Sequence, residues 1–522
     1  MILHGKRVAL PSEPVVHKQF EAHAANTPDA VAVFCAGQRV TYAELNAKAN
    51  QFAHHLSGRG IGRGSRVGLC LGYSIDLLVA ILGTLKSGAA YVPLDPAYPA
   101  GRLELMLGQM PDLAAIVVSQ ATAELVKSSV VEALDIEQLA DVLASSPVTN
   151  PDLAVTGDDV CYAVFTSGST GTPKVTAVRH EGWFNLMNWL MLDYGLTSDS
   201  NNLVVSAFGF DLSQRALMTS LFCGATQHLM ASRNFDAAMA YRILTEQDIR
   251  VVHCASSTLY LLADWETARG GDALAKLDYV LFGGERLAIE RLAGWAQRDG
   301  NKCTLLHQYG VAECTDVATS YDLADYWDGE HDNIPVGKPA YNTDIHILDE
   351  HLQGVAEGES GEICIAGSSV GAGYLNGTGP ESKKFTTIVV DGEPTRIYRT
   401  GDRGFATPAG DLVVVGRMDH QVKVRGMRID PTDIERALGK LGGVRENAVV
   451  TTYADSGEVE LVAFIVPEGA DPVTNDVRAG LLKTLPRNMV PSRFIYLAEL
   501  PLSPHGKVDR AALGRRVPEP VS

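Results

Sequence analysis

Short apolar runs alternate with helical or turn-like segments along much of the sequence, and this alternation restricts the folds that the chain can adopt. The runs include Val67 to Leu71, Ala115 to Val118, Val251 to Cys254 and Tyr279 to Phe282. Short apolar runs bounded in this way are typical of buried strands. The pattern therefore predicts an α/β fold with layers of helices around buried sheets.

The composition is that of an ordinary globular protein, and it narrows the range of functions. Hydrophobic residues make up 46% and charged residues 20% of the 522 positions, and the net charge is −18. So acidic a chain is a poor general partner for nucleic acid or anionic lipid, which favours small-molecule chemistry. We see no signal peptide and no run near the roughly 18 apolar residues of a membrane span, so we expect a cytoplasmic protein.

Changes in the pattern divide the chain into lobes. The turn-rich segment 144–159 separates two α/β portions, and shorter strands from about residue 340 indicate a small β-rich lobe. Beyond Arg417, Asp430 followed by Pro431 has the character of a helix N-cap and first helical position. The remaining hundred residues or so are within the usual size of a separate α+β domain.

Residues 161 to 175, CYAVFTSGSTGTPKV, join a predicted strand to a loop of glycine and hydroxyl side chains. Free backbone N–H groups and hydroxyl donors in one loop suit an anion. The loop differs from the G-x-x-x-x-G-K-[ST] nucleotide loop, because Pro173 precedes Lys174 and no Ser or Thr follows the lysine. Taken alone, the stretch is equally compatible with a solvated turn.

Ten short motifs occur in a fixed order between residues 41 and 510, within a match that runs from about residue 17 to residue 513. They are TYAEL (41–45), LKSGAAYVPLDP (85–96), TSGSTGTPK (166–174), FDLS (210–213), YGVAE (309–313), GEICIAG (361–367), YRTGD (398–402), GRMDHQVKVRGMRI (416–429), LPRNMVP (485–491) and HGKVDR (505–510). Together they resemble the adenylation domains of nonribosomal peptide synthetases, within the adenylate-forming enzyme superfamily; any one motif would be weak support. The resemblance implies ATP-dependent activation of an amino acid as aminoacyl-AMP, with release of pyrophosphate.

The resemblance also implies a domain organisation. Residues 1–418 would form a large core of two layered α/β subdomains plus a small distorted β-barrel, and residues 419–522 a small mobile α+β domain. Asp419 matches the hinge between them. Lys507 corresponds to the family's catalytic lysine, a point cation that would bridge the substrate carboxylate and the α-phosphate. Rotation at the hinge would withdraw this lysine and bring residues 425–427 towards an incoming thiol.

By the same resemblance, the hydroxyl- and glycine-rich loop would hold the β- and γ-phosphates of ATP. Its residues are Thr166, Ser167, Gly168, Ser169, Thr170, Gly171 and Lys174. A departing pyrophosphate needs neutralising groups that do not react themselves, and backbone amides and hydroxyls meet that need.

The remaining nucleotide contacts implied by the resemblance lie in later motifs. Glu313 would bind Mg²⁺ and Asp402 would accept hydrogen bonds from both ribose hydroxyls, tasks that suit a carboxylate. Tyr309 and Gly310 would place the adenine, and Arg417 would lie near the ribose.

Two departures from the family pattern affect the phosphate site. Val175 stands where glycine is usual, and Val311-Ala312 replaces a Pro-Thr pair, which removes a hydroxyl near the phosphates. Because Glu313 and the loop are retained, we expect altered ATP contacts without loss of activity.

Alignment through the motifs gives nine candidate residues for the substrate pocket: Asp211, Leu212, Arg215, His253, Leu281, Gly283, Gln308, Asp316 and Val317. Asp211 stands where amino-acid-activating members hold the substrate ammonium, which argues against an acyl-CoA ligase of the same superfamily. Without the resemblance, Asp211 and Arg215 would be interpreted as an ion pair four residues apart on a helix.

The charges of this pocket predict an aspartate- or glutamate-like substrate. A buried arginine and histidine are costly unless an anion meets them, and Arg215 could hold a second carboxylate bidentately. The alternative is that Asp316 pairs with Arg215 inside the protein, which would leave a polar, basic or aromatic amino acid as the substrate.

The expected partner is a separate phosphopantetheinylated carrier protein, because only nine residues follow Leu513 and none forms a carrier domain. A small MbtH-like helper protein is a second candidate partner. A non-catalytic binding module would be free to lose Glu313, Asp402 and Lys507, yet all three residue types are present.

Overall fold

The computed structural model describes residues 1–166, 173–232, 234–327, 334–377, 380–418, 421–424, 426–454, 458–468, 474–501 and 508–517. Several predicted site residues lie outside these ranges, namely Lys507, Asp419, Ser167, Gly168, Ser169, Thr170 and Gly171. Their roles stay predictions.

Two large sheets with parallel central strands form the bulk of the described chain. One has the strand order β19 (Gly373–Tyr374), β9 (Lys174–Arg179), β8 (Val160–Thr166), β5 (Ala90–Pro93), β4 (Arg66–Cys70), β6 (Ala115–Val118) and β7 (Ala133–Asp135). The other has the order β16 (Lys338–Pro339), β15 (Thr319–Asp322), β14 (Thr304–Tyr309), β13 (Tyr279–Gly283), β12 (Val251–Ala255), β10 (Asn202–Val204), β11 (Gln227–Leu229), β2 (Val31–Cys35) and β3 (Gln38–Thr41). The four apolar runs that predicted buried strands fall in β4, β6, β12 and β13.

Helices lie between the two sheets and on their outer faces. One apolar core contains residues of both sheets together with α1 (Val16–Asn26), α2 (Tyr42–Gly58), α3 (Ile75–Lys86), α5 (Ala140–Ala144), α6 (His180–Asp193) and α7 (Asp211–Cys223). A second core joins one sheet to α8 (Ala237–Glu246), α9 (Ser256–Arg269) and α10 (Glu290–Ala296), and a third joins the other sheet to α4 (Ala100–Leu107). This arrangement confirms the layered α/β prediction. Within the described ranges, every helix is too short or too polar to cross a membrane.

The small β-rich lobe is an antiparallel sheet in the order β1 (Ile2–His4), β17 (Thr343–Leu348), β18 (Gly361–Gly367), β21 (Glu393–Ala406) and β20 (Phe385–Val390), with β22 (Leu412–Arg417) also paired to β21. Among the strands described, the backbone pairs do not join the two ends of this order into a closed barrel. The pairing of β21 with β22 sets Asp402 opposite Arg417.

The C-terminal part has its own apolar core and an α+β composition. A two-stranded hairpin, β23 (Val422–Val424) and β24 (Met427–Ile429), is followed by β25 (Val444–Tyr453), β26 (Val459–Pro467) and β27 (Arg493–Tyr496). The helices are α11 (Pro431–Gly439), α12 (Thr474–Leu481) and α13 (Arg510–Gly514). Ile434 and Leu438 of α11 pack with Leu461 of β26, away from the cores of the large part.

Helix α11 begins where the sequence predicts. Asp430 is the N-cap, its Oδ1 accepts a hydrogen bond from the Thr432 backbone N–H at 3.0 Å, and Pro431 occupies the first turn. The cap satisfies one of the N–H groups that a helix start leaves without an intrahelical partner.

We expect Asp430→Ala to lower the free energy of unfolding of the C-terminal part by about 1 kcal/mol, because the Thr432 N–H loses its acceptor. Asp430→Asn keeps an acceptor oxygen and is the matched control. Hydrogen–deuterium exchange of residues 431–439 in the full chain measures the effect. Equal exchange in the alanine variant and the parent would contradict the assigned cap.

Candidate active site

A cavity lies between the large part and the C-terminal part, at the carboxyl ends of β8 and β13. Thr166 and Gly283 end these two strands, and Asp211 starts α7 beside them. From the C-terminal part the lining residues are Lys423, Gly426, Met427, Arg428, Pro486 and Met489. Open α/β sheets commonly bind ligands outside the carboxyl ends of their strands, so this is the best candidate for a functional site.

The cavity brings together most of the described residues that the sequence predicts for the site. Those lining it are Thr166, Asp211, Leu212, Arg215, Gly283, Gln308, Gly310, Glu313, Asp316 and Val317. Gly310 is required for packing, since a Cβ there would stand 1.9 Å from the Asp316 carbonyl oxygen. The two residues that replace the usual Pro-Thr pair, Val311 and Ala312, also line the cavity.

Both ends of the predicted phosphate loop are in place although the loop itself is outside the described residues. Thr166 pairs with Lys174 across the antiparallel strands β8 and β9. Lys174 is buried, and its Nζ lies 5.5 Å from the centroid of the Tyr374 ring. The Tyr374 hydroxyl donates to Glu313 Oε1 at 2.7 Å, so the end of the loop and Glu313 share a neighbour.

Asp402 is a buried carboxylate held by two donors. Only 3% of the residue is exposed, the Tyr309 hydroxyl donates to Oδ2 at 2.7 Å, and Arg417 Nη1 donates to Oδ1 at 2.6 Å. Arg417 also donates to the Thr400 carbonyl oxygen at 3.2 Å. Asp402 is therefore in direct contact with Tyr309 and Arg417, two of the other residues predicted to lie near the adenine and ribose.

Glu313 is a second buried carboxylate, with 2% of its surface exposed. Burial opposes its ionisation, but the Arg428 guanidinium and the Tyr374 hydroxyl outweigh burial, so the pKa of Glu313 lies below its usual value. Arg428 Nη1 lies 3.4 Å from Glu313 Oε2. Glu313 is thus ionised at neutral pH.

The protein groups at this site suit a metal ion that is bound mainly by oxygen atoms of the enzyme's substrate. Among the described residues, no cluster of three or more His, Cys, Asp or Glu side chains could hold a metal ion. Mg²⁺ is commonly bound by one or two carboxylates together with phosphate oxygens. A single ionised carboxylate at Glu313, close to the predicted phosphate loop, fits that pattern.

The hairpin of β23 and β24 extends into the cavity, where its backbone lies close to Ala255 of the large part. Gly426 has φ +76°, and a Cβ at this position would meet the Ala255 Cβ at 2.8 Å. Burial lowers the pKa of Lys423, and nearby Asp402 opposes this effect. The sequence reasoning did not assign Lys423 or Arg428, although the basic residues of HQVKVRGMRI, directly after the predicted hinge, were a usable signal.

In the substrate pocket, Asp211 and Arg215 do not form the ion pair that their helical spacing would allow. Asp211 Oδ1 accepts a hydrogen bond from the Leu212 backbone N–H at 2.8 Å, and burial raises the pKa of Asp211. Arg215, with 2% exposure, instead has its Nε 2.8 Å from Asp316 Oδ2, and its Nη1 donates to Gln308 Oε1. The internal partner that the alternative hypothesis required is present.

The Arg215–Asp316 contact is close but poorly directed. Neither Arg215 Nε nor Asp316 Oδ2 makes a hydrogen bond of good geometry, so the contact is an ion pair without a directed bond. Asp316 has φ +69° and follows Thr315 at φ +58°, two successive residues in the left-handed region. Burial raises the pKa of Asp316 to about 7, with Arg215 acting in the opposite direction. Strain of this kind is often found at functional sites.

His253 and Leu281 lie behind the cavity and are absent from the lining described. Leu281 belongs to the core between the sheets. His253 is completely buried, neither ring nitrogen has a hydrogen-bond partner, and burial followed by Arg215 holds its pKa well below the usual value. A neutral imidazole cannot attract an anion by its charge, so the structure does not support His253 as half of an anion-receptive pair.

Comparison with known proteins agrees with this fold and site. A family model described as "AMP-binding enzyme" matches residues 20–375, and one described as "AMP-binding enzyme C-terminal domain" matches residues 433–507. The chain belongs to the AMP-binding enzyme family. It is 33% identical over 519 residues to the dimodular nonribosomal peptide synthase of Bacillus subtilis, and the match covers 96% of this chain but only 22% of that longer protein. The resemblance to adenylation domains of nonribosomal peptide synthetases is confirmed.

Solved structures with the same fold serve more than one kind of reaction. PA1221, described as a nonribosomal peptide synthetase protein containing adenylation and PCP domains, has a TM-score of 0.83 and 26% identity, covering 98% of each chain. The o-succinylbenzoate CoA synthetase MenE of Bacillus subtilis has a TM-score of 0.81 and 20% identity, covering 95% of this chain and 98% of the other. At that identity the likeness to MenE shows the fold alone.

We expect Arg215→Met to lower the free energy of unfolding by about 3–5 kcal/mol, because it leaves Asp316 buried without a cation. Asp316→Asn should be destabilising for the converse reason. The double variant should lose less than the sum of the two single losses, since neither charge is then stranded. Urea denaturation at pH 8, where Asp316 is mainly ionised, measures all three variants; strictly additive losses would contradict the buried pair.

Proposed function

We propose that the chain is an amino-acid adenylating ligase. It uses ATP and Mg²⁺ to convert an amino acid into aminoacyl-AMP, releases pyrophosphate, and transfers the aminoacyl group to the phosphopantetheine thiol of a carrier protein. The observation that carries the proposal is that Asp211 and Glu313 line one cavity beside the ends of the phosphate loop, while Tyr309, which directly precedes Gly310 of the lining, donates to Asp402. An amino acid and a nucleotide can meet there with their charged groups matched.

Each carboxylate has a distinct task in this mechanism. Asp211 binds the substrate ammonium and so directs the α-carboxylate towards the nucleotide. Asp402 accepts the ribose hydroxyls, while Tyr309 and Arg417 fix its orientation through the bonds already described. Glu313 would hold Mg²⁺, which supplies positive charge to the phosphates when bound.

The reaction needs positive charge on both sides of the α-phosphate. The phosphate loop and Lys174 would neutralise the departing pyrophosphate, and Lys507 would draw the substrate carboxylate and the α-phosphate together. Their contribution is positioning and electrostatic stabilisation, since the carboxylate itself is the nucleophile. After the adenylate has formed, rotation at Asp419 would exchange Lys507 for the hairpin at the cavity.

A CoA ligase is the competing function, because a CoA synthetase shares the fold. Asp211 favours the amino-acid reaction, since a half-buried carboxylate at the substrate end has no counter-charge in a plain acid. For acceptor choice, a relative that contains a PCP domain supports a carrier protein. A small MbtH-like helper remains part of the proposal and is tested by adding one during expression and measuring soluble yield.

The ion pair between Arg215 and Asp316 favours the alternative substrate hypothesis over a dicarboxylic amino acid. A second carboxylate would have to displace Asp316 from Arg215 or share the guanidinium with it. Once a substrate ammonium faces Asp211, the charges of Asp211, Arg215 and Asp316 are matched. Gln308 and Asp316, the two partners of Arg215, both line the cavity, so a neutral side chain that both donates and accepts can bind them without breaking the ion pair. We infer a neutral polar amino acid in place of the dicarboxylic one.

We expect Lys507→Ala to reduce amino-acid-dependent pyrophosphate exchange about 10²–10³-fold, because loss of one preorganised stabilising group typically costs that much. Lys440→Ala, an exposed lysine at the end of α11, is the matched control. Exchange within a few-fold of the parent would remove Lys507 from the mechanism. Following exchange with thioester formation on a carrier protein and on free CoA distinguishes the two acceptors.

In a pyrophosphate-exchange screen of amino acids, asparagine, glutamine and other neutral polar side chains should outperform aspartate and glutamate. Asp316→Asn should shift the preference towards aspartate and glutamate by about tenfold, because Arg215 loses its internal anion and bidentate carboxylate pairing becomes available. If aspartate or glutamate leads the screen with the parent protein, the dicarboxylic hypothesis is correct and Arg215 releases Asp316 on binding.

A further inference from the structure

Arg428 of the hairpin lies where it neutralises the carboxylate proposed to bind the metal. Its Nη1 is 3.4 Å from Glu313 Oε2, and the exposed fractions of the two side chains are 13% and 2%. The hairpin belongs to the C-terminal part, whereas Glu313 lies in the turn after β14 of the large part. The contact therefore exists only while the hairpin occupies the cavity.

The position of Arg428 is supported by a buried amide. Arg428 Nε donates to Gln421 Oε1 at 2.6 Å, and the same oxygen accepts from Arg417 Nη2 at 3.1 Å. Gln421 Nε2 in turn donates to Asp430 Oδ2 at 3.4 Å. Gln421 thus holds two guanidinium groups side by side, one directed at Asp402 and the other at Glu313.

A buried carboxylate that stays ionised needs a positive charge beside it, since burial alone favours the protonated form. Leaving Glu313 ionised and alone would cost several kcal/mol, as for any stranded buried charge. Mg²⁺ binds carboxylate oxygens at about 2.0–2.1 Å and keeps a nearly octahedral shell. A guanidinium at its present distance from the same carboxylate would repel the metal and obstruct that shell.

We infer that Arg428 and a divalent metal ion are alternative counter-ions of Glu313, so that hairpin docking and metal binding exclude each other. The inference rests on the proposed function only in naming Mg²⁺ as the physiological ion. Because coupling between two binding events is reciprocal, the metal disfavours the docked hairpin by as much as the docked hairpin disfavours the metal. Departure of the metal with pyrophosphate would then favour arrival of the hairpin, which orders the two half-reactions.

The test is a titration of the full chain with Mn²⁺, followed by electron paramagnetic resonance of the free ion. Arg428→Met removes the competing charge and should tighten Mn²⁺ binding by about 5- to 150-fold, the usual range of coupling. Arg428→Lys keeps a cation and should remain nearer to the parent. Arg478→Met, an exposed arginine on α12, is the matched control and should have no effect.

A second pair of variants tests whether Arg428 affects metal binding through Glu313. In Glu313→Gln, the same Arg428→Met substitution should leave Mn²⁺ affinity unchanged, because the shared carboxylate is gone. Unaltered affinity in Arg428→Met with Glu313 intact, or an equal gain in both backgrounds, would overturn the inference. The titration needs no turnover, so a chain inactive in pyrophosphate exchange would contradict the proposed function without affecting this result.

A measurement on a chain that retains Arg428 covers the case in which Arg428→Met does not fold. Spin labels at two exposed positions, Val389 of the β-rich lobe and Leu482 after α12, report the distance between the two parts. Millimolar Mg²⁺ should shift this distance distribution, and Glu313→Gln should abolish the shift. If Mg²⁺ leaves the distance distribution unchanged, metal binding and hairpin docking do not exclude each other and the inference is wrong.

Discussion

The buried ion pair between Asp402 and Arg417 connects three parts of the molecule. Asp402 lies on β21 of the β-rich lobe, Tyr309 reaches it from the end of β14, and Arg417 ends β22 where the chain leaves for the C-terminal part. The antiparallel register that sets the two charged residues opposite each other is fixed by the strands themselves. Because a stranded charge would be costly at this depth, the pair joins the β-rich lobe to Tyr309 of the large part, and Arg417 extends the contact to Gln421 of the C-terminal part.

The same principle governs the rest of the cavity. Glu313 and Asp316, which line it, each have a basic neighbour of the chain in Arg428 and Arg215, and Asp402 nearby is paired with Arg417. A charged ligand that meets one of these three carboxylates must therefore replace or join an existing partner, and its net gain is the difference between two well-matched arrangements. Such exchange favours ligands with the right charges in the right order over those that merely bring more charge.

Much of the fold follows from local patterns in the sequence. Apolar runs predicted β4, β6, β12 and β13, and the residues around Asp430 predicted the start of α11, because strand burial and helix capping depend on neighbours in sequence. The ordered motifs predicted the family and ten of the cavity residues. The partner of Arg215 could not be settled in this way, since Asp316 is distant in sequence and reaches the guanidinium through a left-handed backbone. The sequence also could not predict that His253 is neutral, because its lowered pKa depends on complete burial beside Arg215.

The hairpin illustrates what neither motif nor composition could supply. Its basic residues are visible in the sequence, but their partners belong to a different lobe and become apparent only when the C-terminal part lies against the cavity. There the absence of a side chain at Gly426 permits contact with Ala255, and this approach brings Lys423 towards Tyr309 and Arg428 to Glu313. Because the C-terminal part brings its own cations, Lys423 and Arg428, to the carboxylates of the cavity, the end of the first reaction is sufficient to favour docking of the hairpin. The loss of the metal and phosphates leaves carboxylates that the hairpin is built to neutralise.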